Sequence, residues 1–306
     1  MILLWGITAD GPLASVRAAL AAMATPVAFL DQQEILGTGI ELTVDSTLRG
    51  VLRLPAMDLP LEAIRAVYAR PYDTRRIAAV ERAGPDSSEW RHALLCESTL
   101  SCWANLTSAL VVNRPSAMGS NISKPYQASL IQSWGFDVPD TLVTTDRSAA
   151  IAFRERHGTV IYKSISAVRS VVSRLRPEHH DRLADIANCP TQFQEYIEGM
   201  DVRVHVVGDD VFGCEIESTA DDYRYAGLQD CVLHVRPCEV PVEIADRCRS
   251  LAAGLNLAVA GIDLRLRPDG RWYCFEVNPS PGFTFYEGLT GQPIAASIAR
   301  LLAAGK

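Results

Sequence analysis

Lysine is nearly absent from this sequence. Of its 29 basic side chains only Lys124, Lys163 and Lys306 are lysines. A general bias toward arginine accounts for the rarity. It also singles out the two internal lysines, because a compact ammonium and a planar guanidinium are not interchangeable at a phosphate. Long apolar runs are missing too: nothing approaches the roughly eighteen residues of a membrane span, and Met1–Ile7 carries no basic leader or cleavage pattern. The expectation is a cytoplasmic chain with no signal peptide and no membrane partner. Positive charge is not in excess. A net charge of −7 and a pI near 5.4 argue against the basic face that nucleic-acid binding needs.

Other absences narrow the chemistry. The eight cysteines (96, 102, 189, 214, 231, 238, 248 and 274) form no C-x-x-C pair, which argues against zinc. They read as reduced core residues, and no His or Asn stands in a motif that would support a catalytic thiol. Glycine-loop nucleotide motifs are also lacking. Gly119–Lys124 lacks the second glycine and the following Ser/Thr of a P-loop, and no G-x-G-x-x-G follows Met1–Gly6. A nucleotide held here requires another architecture.

What is present describes an α/β protein. At 306 residues, 48% hydrophobic and 21% charged, the chain has room for two or three subdomains. Strands are expected at Met1–Gly6, Val27–Leu30, Ala66–Arg70 and Leu110–Val112, with helices over Leu13–Met23 and Ser87–Ser108 between them. A second unit reads as helix Ser123–Trp134, strand Thr141–Thr144 and a helix capped by Asp146 and ended by Gly158. Strand Thr159–Lys163, a strand at Val171–Leu175 and helix Glu178–Ala187 follow. The third unit is strand-rich: Thr191–Ile197, Val202–Val207, Val211–Glu217 and Cys231–Val235, then helices at Val242–Leu255 and Ile294–Leu302. The histidines, including the His179–His180 pair on an expected exposed helix, read as surface or core residues rather than as ligands.

The most informative stretch is Gly261–Ser280, GIDLRLRPDGRWYCFEVNPS. Asp269-Gly270 after Pro268 signals a two-residue hairpin turn. That turn sets Ile262 opposite Val277, Leu264 opposite Phe275 and Leu266 opposite Tyr273 on one apolar face. Asp263 then faces Glu276 on the other, with Asn278 further along the same side. Carboxylates placed directly across a sheet repel each other, so a cation is expected between them. Their oxygens and that of Asn278 are hard ligands that Mg²⁺ accepts, usually beside substrate phosphates. The pattern points to phosphoryl transfer. Gln194–Gly199 followed by Met200–Val204 adds a strand with an acidic turn, able to offer backbone groups to adenine, Asp201 to a ribose and Arg203 to phosphate.

The order Lys124, Lys163, QEYIEGMDVRV and IDLRL…CFEVNPSPGF resembles the ATP-grasp carboxylate–amine ligases. Within them it is most similar to the branch of ribosomal-protein glutamate ligases and microviridin-type graspetide synthetases. The likeness runs from about Asn113 to the end and is most specific in the last third. It implies an ATP-grasp fold: an N-terminal open α/β domain (1–112), a central subdomain (113–190) and a C-terminal antiparallel subdomain (191–306). It also implies ATP phosphates on Lys124 and Lys163, adenine on Glu195, Tyr196 and Ile197, and ribose on Asp201. Two Mg²⁺ ions, replaceable by Mn²⁺, would rest on Asp263, Glu276 and Asn278. Arg203 and Arg224 are the implied contacts to an acyl phosphate. The chain departs from the family after the second lysine, where Ser164–Ser170 contains no glycine and Arg169 with the serines stands in for a glycine-rich lid.

Three readings remain. One is a ligase that activates a carboxylate with ATP and joins it to an amine of an amino acid or peptide. Another is a peptide macrocyclase that forms side-chain ester or amide bonds, and the third is an ATP-binding regulatory module. A homodimer is expected by analogy with the fold.

Overall fold

The computed structural model describes residues 1–165, 172–218 and 232–305. They group into two compact units. The first comprises Met1–Met118, Asn256–Val259 and Ser280–Lys306, and the second Gly119–Leu255 and Ala260–Pro279.

The first unit opens with β1 (Ile2–Gly6), α1 (Gly11–Ala22) and β2 (Val27–Asp31). A meander follows, β3 (Gly39–Val44), β4 (Leu48–Leu54) and β5 (Met57–Pro60), then β6 (Ala66–Ala69), α2 (Ala78–Ala83), α3 (Ser88–Leu106) and β7 (Leu110–Val112). A parallel sheet runs β2-β1-β6-β7. All five residues of β1 are buried, as expected of a strand covered on both faces. Asp10 caps α1 by accepting from the Leu13 N–H, and Ser87 caps α3 by accepting from that of Trp90. Leu3, Trp5, Leu30, Val67 and Trp103 share the core. The three-stranded meander β3–β5 was not anticipated from sequence.

The second unit contains α4 (Lys124–Ser133), β8 (Thr141–Thr144), α5 (Arg147–His157), β9 (Val160–Ser164), β10 (Ser173–Arg174) and β11 (Thr191–Glu195). It continues with β12 (Met200–Val207), β13 (Asp210–Ser218), β14 (Leu233–Cys238), α6 (Val242–Gly254), β15 (Val259–Leu266) and β16 (Trp272–Asn278). The first of its two sheets has the order β10-β9-β11-β8 and the second β14-β13-β12-β15-β16. The final helices α7 (Thr284–Thr290) and α8 (Ile294–Ala304) belong to the first unit. Pro177–Asn188 forms 3₁₀ turns rather than the expected α-helix; the histidines and aspartates inside it are weak α-helix formers.

The hairpin departs from its expected register. Gly270 takes a positive φ of 84°, and Arg267 and Arg271 close a three-residue loop, Pro268-Asp269-Gly270. Near the loop Leu266 therefore pairs with Trp272, Arg265 with Tyr273 and Leu264 with Cys274. An extra residue, Phe275, then bulges out, beyond which Asp263 pairs with Glu276 and Ile262 with Val277. The expected pairs Leu264–Phe275 and Leu266–Tyr273 do not form. The acid pair does, because the longer loop and the bulge offset each other by one residue.

Candidate functional site

The second unit contains a cleft of about 840 Å³, open mouth included, within the range of small-molecule sites. It is lined by Lys124, Lys163, Glu195, Tyr196, Ile197, Asp201, Asp263 and Glu276, among others. Eight of the residues expected to carry chemistry thus converge from α4, β9, the β11–β12 turn, β12 and the hairpin. Asn278 stands opposite Gly261, two pairs beyond Asp263–Glu276, but is not part of the lining. Arg224, Arg169 and most of the Ser164–Ser170 loop lie outside the described residues.

One end of the cleft is built from charge. Strands β12 and β15 are neighbours, and two ion pairs of opposite polarity cross between them. Arg203 Nη1 donates to Asp263 Oδ1 at 2.7 Å, while Arg265 Nε and Nη2 grip both oxygens of Asp201 at 2.8 Å. Arg203 is itself 4% exposed, so the Asp263 pair is largely desolvated and its geometry is fixed by the sheet. Across the hairpin, Lys124 Nζ stands 4.0 Å from Glu276 Oε2. The repulsion expected between the facing acids is therefore relieved by a protein cation beside each. His205, two residues from Arg203 on the same face, lies 3.4 Å from Arg203 Nε. Burial first, and the nearby Arg203 charge second, hold its pKa well below the usual imidazole value, so it is neutral.

The other end is built from backbone and rings. Lys163 is 8% exposed and donates to Gln194 Oε1 at 3.2 Å; Gln194 in turn donates to Thr141 Oγ1. Strand β9, with Lys163 near its end, lies inside its sheet between β10 and β11. Glu195 accepts from the Asp140 N–H, which pins the start of the linker to β12. Arg174 stacks 4.4 Å over the Tyr196 ring and donates to its hydroxyl. Arg265 lies between the Tyr196 and Phe275 rings at 5.6 and 5.1 Å and donates to the Ile197 carbonyl. The bulge explains the place of Phe275: instead of joining the apolar face it turns into the cleft beside Glu276.

Two carboxylates are hard donors of the kind Mg²⁺ takes. Among the described residues no three His, Cys, Asp or Glu side chains cluster to form a complete cage. Such a donor set fits a hard divalent cation held only in part by protein, as Mg²⁺ usually is beside substrate phosphates. The thiols are not suited to nucleophilic work. Burial pushes Cys214 and Cys248 up to about 12, and Cys274 is also raised strongly.

Sequence reasoning missed three residues of this site. Arg265 was not singled out, and Phe275 was expected on the apolar face. The third is Gln127 in α4, whose signal is a polar residue at a buried helical position: it is 1% exposed.

A sequence pattern described as the RimK-like ATP-grasp domain matches residues 126–302, more than half of the chain. A probable alpha-L-glutamate ligase of Xanthomonas campestris pv. campestris (strain B100) is 32% identical over 148 residues, 46% of each chain. The chain thus spans about half the length of the curated relatives it matches. Solved structures align more fully. A Chryseobacterium gregarium RiPP-associated ATP-grasp ligase, in complex with ADP and a leader and core peptide, is 25% identical. It covers 100% of this chain and 97% of its own, with a TM-score of 0.82. The ATP-grasp ligase PsnB, complexed with a phosphomimetic variant of its minimal precursor, Mg and ADP, is also 25% identical. It covers 99% of this chain and 98% of its own, with a TM-score of 0.81.

Proposed function

Because the chain belongs to the RimK-like ATP-grasp family, we propose that it is an ATP-dependent ligase that joins an activated carboxylate to an amine. The observation that carries this reading is the facing pair Asp263–Glu276 on a cleft that also collects Lys124, Lys163 and the Glu195–Ile197 linker. In this reading the linker backbone takes the adenine, and Asp201 with Arg265 borders the ribose. Lys124 and Lys163 neutralise the phosphates. Asp263, Glu276 and Asn278 would hold Mg²⁺, which would supply positive charge to offset that developing on phosphoryl transfer; two ions are proposed, with Mn²⁺ as a substitute.

The reaction has two steps. An oxygen of the substrate carboxylate attacks the γ-phosphorus, the bond to the β-bridging oxygen breaks, and ADP leaves. The amine nitrogen then attacks the acyl carbon, expels phosphate and loses a proton. The chain's part is to position and to neutralise charge, with Arg203 keeping Asp263 aimed into the cleft and Arg224 proposed as a contact to the acyl phosphate. The three-part division at 112 and 190 belongs to the same proposal.

The near-complete coverage of both peptide-complexed ligases supports a peptide as the substrate, and with it the macrocyclase reading. The test incubates the protein with ATP and Mg²⁺, first with glutamate and a carboxyl-terminal acceptor peptide, then with a short peptide encoded beside its gene. ADP release with one glutamyl residue gained identifies the ligase. ADP release with one water lost per bond identifies the macrocyclase. Tight nucleotide binding without ADP release in any combination would leave the regulatory module instead.

A further inference from the structure

Helix α4 carries a buried glutamine whose amide pairs with a strand backbone. Gln127 Nε2 donates to the Val277 carbonyl at 2.7 Å, and Gln127 Oε1 accepts from the Val277 N–H at 2.9 Å. Strand β16 is an outermost strand of its five-stranded sheet, so Val277 would otherwise present an unpaired edge. The side-chain amide closes it much as another strand would. An apolar residue could fill the same volume but would leave both buried Val277 groups unsatisfied.

The contact fixes more than an edge. Val277 lies between Glu276 and Asn278, and Lys124 lies three residues before Gln127 on the same helical face. Docking the amide on Val277 therefore sets both the rotation of α4 and its height along β16. The outcome is Lys124 Nζ at 4.0 Å from Glu276 Oε2. Ser123 gives α4 no side-chain cap, so nothing in the cap itself orients its first turn.

We propose that Gln127 is the positioning residue that registers Lys124 against the Glu276 carboxylate, and so sets how the lysine meets the terminal phosphates of the nucleotide. This inference rests on the nucleotide site proposed above. Its action runs through Lys124, which makes it separable from a contribution to folding alone.

A double-mutant cycle on Mg·ADP affinity and KM for ATP tests it, using the wild-type protein, Gln127→Leu, Lys124→Met and the double variant. Gln127→Leu is expected to weaken nucleotide binding about ten-fold. In the Lys124→Met background the same change is expected to add nothing, because the residue it positions is gone. Full additivity, or unchanged affinity in Gln127→Leu, overturns the positioning role. If Lys124→Met itself leaves affinity intact, the nucleotide site fails, and this inference with it.

Gln127→Glu covers the case in which the leucine variant does not fold. Ionised, the introduced carboxylate can accept from the Val277 N–H but repels its carbonyl. Protonated, it donates to that carbonyl and matches the shape of the amide. Affinity relative to wild type is expected to recover as pH falls through the carboxyl pKa; a ratio that stays flat with pH overturns the proposal.

Discussion

The two units use their sheets in opposite ways. In the first, β1 is an unbroken apolar strand, and the parallel sheet buries side chains that need only fit. Its half-buried ion pair, Arg70 on Asp10, lies beyond the strand ends, where Arg70 also donates to Ser280 and Pro281. In the second unit the charges lie within the sheet itself. Asp201, Arg203, Asp263 and Arg265 stand on adjacent strands with their charges exchanged, and Lys124 approaches from a helix. A sheet that keeps ionised groups at its centre is held by partnership rather than by shape. The stability of the first unit and the chemistry of the second should therefore be separable by mutation.

The largest separation is expected at Glu276. Glu276→Gln preserves shape but removes a metal-facing charge, and ADP formation should fall by on the order of 10²–10³-fold with little change in melting temperature. Retained turnover would sink the metal assignment. Next is a change in the first unit: Leu3 is fully buried, and Leu3→Ala should cost about 2–5 kcal/mol in denaturant unfolding. Nucleotide affinity per folded molecule should remain at the wild-type value. A matching loss of affinity would mean that the two units are not energetically separable.

The smallest effect concerns pH. The folded pKa of His205 lies well below the unfolded value of 6.5. Below that value the unfolded chain takes up the proton more readily. The stability tied to neutral His205 is thus complete above about pH 6.5 and is lost as pH falls toward the folded pKa, by up to about 1.4 kcal/mol per pH unit. Melting curves between pH 7.5 and 5.5 should flatten in His205→Gln and keep their wild-type slope in Leu3→Ala.

Most of the first unit could be read from its sequence, because uninterrupted apolar strands and capped helices announce themselves. The meander β3–β5 could not, since Gly39–Pro60 mixes charged, turn and apolar residues, and only Leu52 and Leu59 of those strands are deeply buried. In the second unit the facing acids were legible, as repulsion is visible in a register. The pairing that relieves it was not: Arg203 reads from sequence as a phosphate contact, and only the placing of β12 beside β15 turns it onto Asp263 and sets Arg265 on Asp201. Gln127 was hidden for a different reason. A glutamine in a helix is ordinarily a surface residue, and only burial distinguishes this one.

The hairpin has an arithmetic consequence. A strand has two faces, so every single-residue shift exchanges them; the three-residue loop contributes one shift and the Phe275 bulge another. Two shifts restore the face of Glu276, whereas one would send it into the core and bring Val277 out. Loop length and bulge are therefore locked in parity. Evolution or an engineer can shorten the turn, or iron out the bulge, only by doing both at once.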